Sequence, residues 1–166
     1  MDKRYLVIIL IMSICAVNLY IISDNSDVVG SAYVNVGKYT FSLPNGFTMY
    51  SNEDNTVTIK NSDLNMTIYI QSSLGKSDSF SNRLHQIDKD GFELYSNGTV
   101  HCGDMEVPVA FYHKGSDNRS TFYFSEYDDN FRILIAGFDY NTQRDEVINI
   151  ASDLIDSVRV NHKLSG

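Results

Sequence analysis

Several short strings in this sequence carry residue types that do chemistry, and each lacks something that the chemistry needs. Gly75-Lys76-Ser77 ends like a phosphate-binding loop. Such a loop requires G-x-x-x-x-G-K-[ST], because backbone N–H groups wrap a phosphate only where glycine lets the chain approach it. The first glycine belongs at position 70, and Ile70 stands there. A loop ending in a helix cap accounts for the string, and nucleotide binding is not expected. His101-Cys102, with His113 further on, offers metal-ligand types. Adjacent strand residues point to opposite faces, so His101 and Cys102 cannot both face one ion. If Gly103-Asp104 forms a turn, His113 lies more than about 20 Å from His101 along the partner strand. His85 and His162 are isolated, and Cys102 suits a small core position. No metal site is expected.

Asp88-x-Asp90-Gly91 opens like a calcium loop, but Phe92 takes the place of the next oxygen ligand and no glutamate closes it. Asp128-Asp129 falls among turn residues, where acids are solvated. There is no G-x-S-x-G elbow, and no His/Asp/Ser set has the spacing of a triad. Catalytic residues and cofactors are therefore not expected, and the chain reads as a non-enzyme.

The elements that would position any site begin after a hydrophobic segment. Residues 5–22 form an uncharged run, YLVIILIMSICAVNLYII. As a helix at about 1.5 Å per residue it spans roughly 27 Å, close to a bilayer's hydrocarbon core. Lys3 and Arg4 precede it, and Asp24 and Asp27 follow. Positive charge on the N-terminal side places that end in the cytoplasm and the rest of the chain outside. A cleaved signal peptide is the alternative, releasing the domain as a secreted protein. The length of the run, and a nearest small-x-small site as distant as Gly30-Ser31-Ala32, favour a retained anchor. Asn65, Asn97 and Asn118 each begin an N-x-[ST] glycosylation triplet, which suits the outer side, although an Asn-rich chain also acquires such triplets by chance.

Charge restricts the partners. The net charge is −8 with a pI near 4.8. Without Lys3, Arg4 and Asp2, the 13 Lys+Arg become 11 and the 21 Asp+Glu become 20. A domain of that sign repels phosphate backbones, so nucleic acid is not an expected partner. Cys15 lies in the hydrophobic run, which leaves Cys102 without a partner for an internal disulfide.

Residues 23–32 read as a linker and 33–166 as one domain. Strand-like runs at Tyr33–Leu43, Phe47–Ser51, Thr56–Lys60 and Asn65–Gln71 are each closed by turn residues. Met66, Ile68 and Ile70 share one face of the last. The period then changes: Phe80, Leu84 and Ile87 recur at helical spacing over Ser77–Lys89, with Ser77 or Asp78 as cap and Gly91 at the C′ position. Four further strands, Phe92–Cys102, Glu106–Lys114, Arg119–Tyr127 and Phe131–Phe138, have short hairpin connections and predict an antiparallel meander. Asn141 or Thr142 caps a second helix to about Asp156, with Val147, Ile148, Ile150, Ala151, Leu154 and Ile155 as a broad apolar stripe. Val158–Val160 is extended. The pattern is α+β, an antiparallel sheet flanked by two helices and preceded by a transmembrane helix.

The strand entering Phe41-x-x-Pro44-x-Gly46-Phe47, the hairpins, helix, meander and final amphipathic helix closed by Ser157-Val158-Arg159-Val160 together resemble the PsbP/Mog1-like superfamily over about residues 33–160. The resemblance implies an α/β/α sandwich and a mostly non-enzymatic role: members bind a photosystem or a nuclear GTPase, or sit as anchored proteins on prokaryotic envelopes. No functional residue of that superfamily maps onto this chain.

One surface feature remains. If Tyr127 faces Phe131 across a turn at Asp128–Asn130, then Phe122, Phe124, Leu134, Ala136 and Phe138 share one face. Tyr123, Ser125, Ile133 and Ile135 then lie on the other, with Tyr69 and Tyr112 as further candidates. The first helix is the expected cover for that second face; the alternative is a docking surface rich in tyrosine, made from Tyr69, Tyr112, Tyr123 and Tyr127. The expected role is a membrane-anchored, extracytoplasmic, non-catalytic domain that binds another envelope protein or assists assembly. The alternative is a module for a small apolar or carbohydrate ligand.

Overall fold

The computed structural model describes residues 32–161. The anchor over 5–22, nearly all of the linker, and His162 lie outside the described residues. Among the described residues no helix is long and apolar enough to cross a membrane.

Ten strands and two helices follow one another: β1 Tyr33–Val36, β2 Tyr39–Ser42, β3 Thr48–Glu53, β4 Thr56–Asn61, β5 Met66–Gln71, α1 Phe80–Lys89, β6 Glu93–Cys102, β7 Met105–Lys114, β8 Asp117–Glu126, β9 Asp129–Ala136, α2 Tyr140–Ser157 and β10 Arg159–Val160. A seven-stranded antiparallel sheet runs β3-β4-β5-β9-β8-β7-β6, and a second sheet of three strands runs β1-β2-β10. The expected meander β6-β7-β8-β9 is present, with β5 added to its free edge.

Alternation along the strands sorts side chains to the two faces of the large sheet. One face carries Val57, Ile59, Ile68, Ile70, Ile133 and Ile135, all fully buried. They share a core with Val34, Val36, Tyr39 and Phe41 of the small sheet and Val147, Ala151, Leu154 and Ile155 of α2. On the opposite face Ile87 of α1 packs on Ala110 and Tyr112 of β7, with Phe80, Leu84 and Phe92 around them.

Three expectations are corrected. The run from Tyr33 to Leu43 is a hairpin, because Gly37 turns it with φ 57° and donates its N–H to the Asp54 carbonyl at 2.8 Å. A Cβ at Gly37 would lie 2.5 Å from Asn55 Oδ1, so a larger residue there meets both a left-handed backbone and a side chain that must move. The helix caps are Ser79 and Asp139, each accepting from a backbone N–H of its own first turn, in place of Ser77 or Asp78 and Asn141 or Thr142. The turn between β8 and β9 is the pair Tyr127-Asp128, with φ 53° and 58°. Such a turn follows the right-handed strand twist. Phe124 then pairs with Phe131, and their rings stack at 4.8 Å. This register differs from the expected one by an odd number of residues, so β9 turns over: Ile133 and Ile135 face the core, while Leu134 and Ala136 lie on the second face.

Candidate functional site

The second face of the large sheet is covered unequally. Helix α1 lies over β6 and β7, and its underside is filled by Ile87, Leu84, Phe80 and Phe92. Beyond it, toward β4, β5 and β9, lies a depression of about 270 Å³. Its floor is Leu134 and Ala136, Tyr69 stands at its side 42% exposed, and Thr56 and Gln71 contribute polar edges. Arg119 and Arg132 also line it.

Cross-strand pairing sets those arginines apart. Arg119 pairs with Ala136, and Arg132 pairs with Gln71 and Tyr123. Four residues of β9 separate the two levels, about 13 Å along the strand. Arg119 grips Asp117 through Nε and Nη2, the latter at 2.7 Å, which holds its guanidinium above its ordinary pKa. No protein acceptor among the described residues takes its Nη1. Arg132 reaches Asp78 Oδ1 at 3.2 Å and Gln71 Oε1 at 2.6 Å. Tyr123 donates its hydroxyl to the same Asp78 oxygen at 2.9 Å. Burial pushes the Tyr123 hydroxyl's pKa up against the lowering influence of Arg132. This network draws Asp78 onto the sheet, which explains why Ser79 caps the helix. It also ties the start of α1 to the rim of the depression, where Ser77, Asn82, Arg83 and Gln86 line a second groove that shares Arg132.

The four tyrosines of the expected docking surface are not brought together. Tyr112 is fully buried and accepts a hydrogen bond from Arg83 Nη2 at 3.1 Å. Tyr123 is 8% exposed against Phe80. Tyr127 belongs to the hairpin turn and stacks on Tyr39. Tyr69 alone of the four opens to solvent on the bare part of the second face. Of the three triplet asparagines, Asn65 and Asn97 are exposed. Asn118 donates to the Phe138 carbonyl at 2.9 Å and accepts from the Tyr95 hydroxyl at 3.2 Å, so both ends of its amide serve the fold.

The remaining strings sit apart. Gly75 and Lys76 border a groove of about 500 Å³ beside Met105, Glu106 and Pro108. Cys102 is buried and His101 exposed. His113 pairs with Glu93 at the far end of the β6–β7 hairpin. Among the described residues no three His, Cys, Asp or Glu side chains are grouped to hold a metal ion.

A polar cluster lies at the other end of the sheet. Tyr39 donates to Asp129 Oδ2 at 2.8 Å and Ser73 to the same atom at 3.0 Å, which joins the small sheet to the β8–β9 hairpin. Burial works to raise the Asp129 carboxyl's pKa. The bonds from Tyr39, the Asn130 backbone and Ser73, with the charge of Lys38, outweigh it and hold the carboxyl below its ordinary value.

Of the residues that line the depression, the sequence singles out Tyr69 but neither Arg119 nor Arg132. One signal was available: Arg132 interrupts the otherwise apolar strand segment Phe131–Ala136, and a charge there marks a face that no core covers.

No protein-family model matches the chain, and no curated protein matches it. Solved structures do. Cyanobacterial PsbP from Synechocystis superposes with a TM-score of 0.50 at 10% identity, covering 80% of this chain and 95% of that one. A Bacteroides thetaiotaomicron protein gives 0.50 at 11% identity over 74% of this chain and 45% of its own. The Ran-binding protein Mog1p of Saccharomyces cerevisiae gives 0.48 at 14% identity over 80% and 97%. At these identities the likeness establishes fold alone, and the described domain has the PsbP/Mog1-like fold.

Proposed function

We propose that this chain is a non-catalytic docking domain, held outside a membrane by residues 5–22, and that it binds an envelope protein through the bare half of its large sheet. The observation that carries this reading is the unequal cover of the second face. Helix α1 closes over β6 and β7, while Tyr69, Leu134 and Ala136 are left without a layer above them. Soluble sheets of this kind leave polar residues on an uncovered side. An exposed tyrosine beside apolar floor residues is instead the composition of an interface. Ile87, Leu84, Phe80 and Phe92 fill the space beneath the middle of α1, which favours a surface contact over a ligand held there. Arg119 and Arg132 at the edge suit a partner surface that is apolar at its centre and acidic at its rim, by charge complementarity.

A photo-crosslinking residue placed at Tyr69 tests this in intact cells, with one at Asn97 on the exposed edge strand β6 as control. A discrete adduct from position 69 and none from 97 is expected. Equal adducts from both, or none from 69, would remove the reading.

A further inference from the structure

We propose that the depression between Arg119 and Arg132 takes one carboxylate carried on an apolar body, namely an acidic side chain flanked by aliphatic residues on the docking protein. The inference deepens the docking reading and rests on it for the partner, though not for the pocket's chemistry. The lining residues include Arg119 and Arg132 and no acid, in a chain of net charge −8, and the Arg119 guanidinium lies 4.9 Å from the centre of the Phe92 ring. The acids that hold those guanidiniums, Asp117 and Asp78, are outside the lining. They keep both arginines in place, with side chains only 35% and 22% exposed, so little freedom is lost when a ligand arrives. Asp117 uses the Nε and Nη2 edge of Arg119, and the Nη1 donor has no protein acceptor among the described residues. A carboxylate meets that donor as a charge-assisted acceptor.

The floor argues for what the carboxylate is attached to. Leu134 and Ala136 are only half-buried, and the ring of Tyr69 rises beside them. An aliphatic neighbour laid on these three removes apolar area from water at about 25 cal/mol per Å². The charge argues for a single anion. Each arginine is already ion-paired with its own aspartate, and the chain as a whole is negative. A phosphate dianion or a polyanion therefore meets more repulsion than one carboxylate does.

The test uses the full chain in detergent micelles and two peptides, acetyl-Leu-Glu-Leu-amide and acetyl-Leu-Gln-Leu-amide, titrated by calorimetry. The glutamate peptide is expected to bind at least about tenfold more tightly than its neutral isostere. Arg119→Gln is expected to remove most of that difference, and Ala136→Leu to weaken both peptides by filling the floor without touching charge. Arg144→Gln, on α2 beside Phe111, is expected to change nothing. Identical titrations for the two peptides, absence of heat with either, or equal weakening by Arg144→Gln would each overturn the proposal. If Tyr69 crosslinks to a partner while the peptides fail to discriminate, the pocket's chemistry is wrong and the docking reading stands. Discrimination without crosslinking gives the reverse.

Discussion

Leu154 is the place to test whether α2 closes the core as described. It is fully buried, and it shares its core with Phe41 of β2 and with Phe122 and Phe124 of β8. Leu154→Ala deletes the isobutyl group's outer carbons from a site bounded by two sheets. Strands fixed by ladders on both sides cannot move in to fill the gap, so the cost belongs in the upper half of the usual range of about 2–5 kcal/mol. For a domain of this size each kcal/mol lowers the melting temperature by about 3 °C, which gives a fall of roughly 10–15 °C. Total stability of about 5–15 kcal/mol leaves the variant folded but visibly weakened. The matched control is Asp153→Ala, exposed on the same helix, with an expected change under about 0.5 kcal/mol. Thermal melts followed by far-ultraviolet circular dichroism decide between them. Equal melting temperatures for the two variants would refute the packing of α2 between the sheets.

Three other outcomes are expected. The folded pKa of Asp129 lies below its unfolded value, so its contribution is present above the unfolded value and is lost as pH falls through the folded one. Melts of the wild type from pH 7 down to about pH 3 should therefore drop more steeply than those of Asp129→Asn, and parallel curves would contradict the cluster at Tyr39 and Ser73. Gly37→Ala should cost about 1–2 kcal/mol for its left-handed backbone and more for the displaced Asn55 side chain, readable in denaturant titration. Asn118→Ala should lower the melting temperature, whereas Asn97→Ala, whose side chain is exposed, should not.

Much of the fold was legible because it rests on periodicity. Met66, Ile68 and Ile70 alternate, the stripe from Val147 to Ile155 repeats at helical spacing, and glycine marks the turns at Gly103 and Gly115. Those signals are local. The β8–β9 register was not legible, because Tyr127 carries no mark of a left-handed residue and the two-residue turn is held by tertiary contacts, including the stacking of Tyr127 on Tyr39. An error of odd length there exchanged the faces of β9. It placed Leu134 and Ala136 on the core face with Phe122 and Phe124 and hid the depression they floor. Arg119 and Arg132 come near one another only through that same pairing, so no spacing in the chain announces them. The tyrosines failed as a set for a related reason: Tyr112 and Tyr123 lie on the second face as expected, but α1 and its approach cover that part of it.

On the proposed reading the bare sheet half faces outward from the cell and a partner occupies it there. A membrane-impermeant maleimide measures both parts, applied to wall-free intact cells and to purified protein carrying Tyr69→Cys or Asn97→Cys. Both variants carry Cys15→Ser, and the remaining native thiol, Cys102, is buried. Asn97→Cys is expected to label rapidly in both settings, while Tyr69→Cys labels rapidly when purified and slowly in cells. Equal rates for Tyr69→Cys in the two settings would contradict docking on this face, and failure of Asn97→Cys to label in intact cells would contradict its location outside.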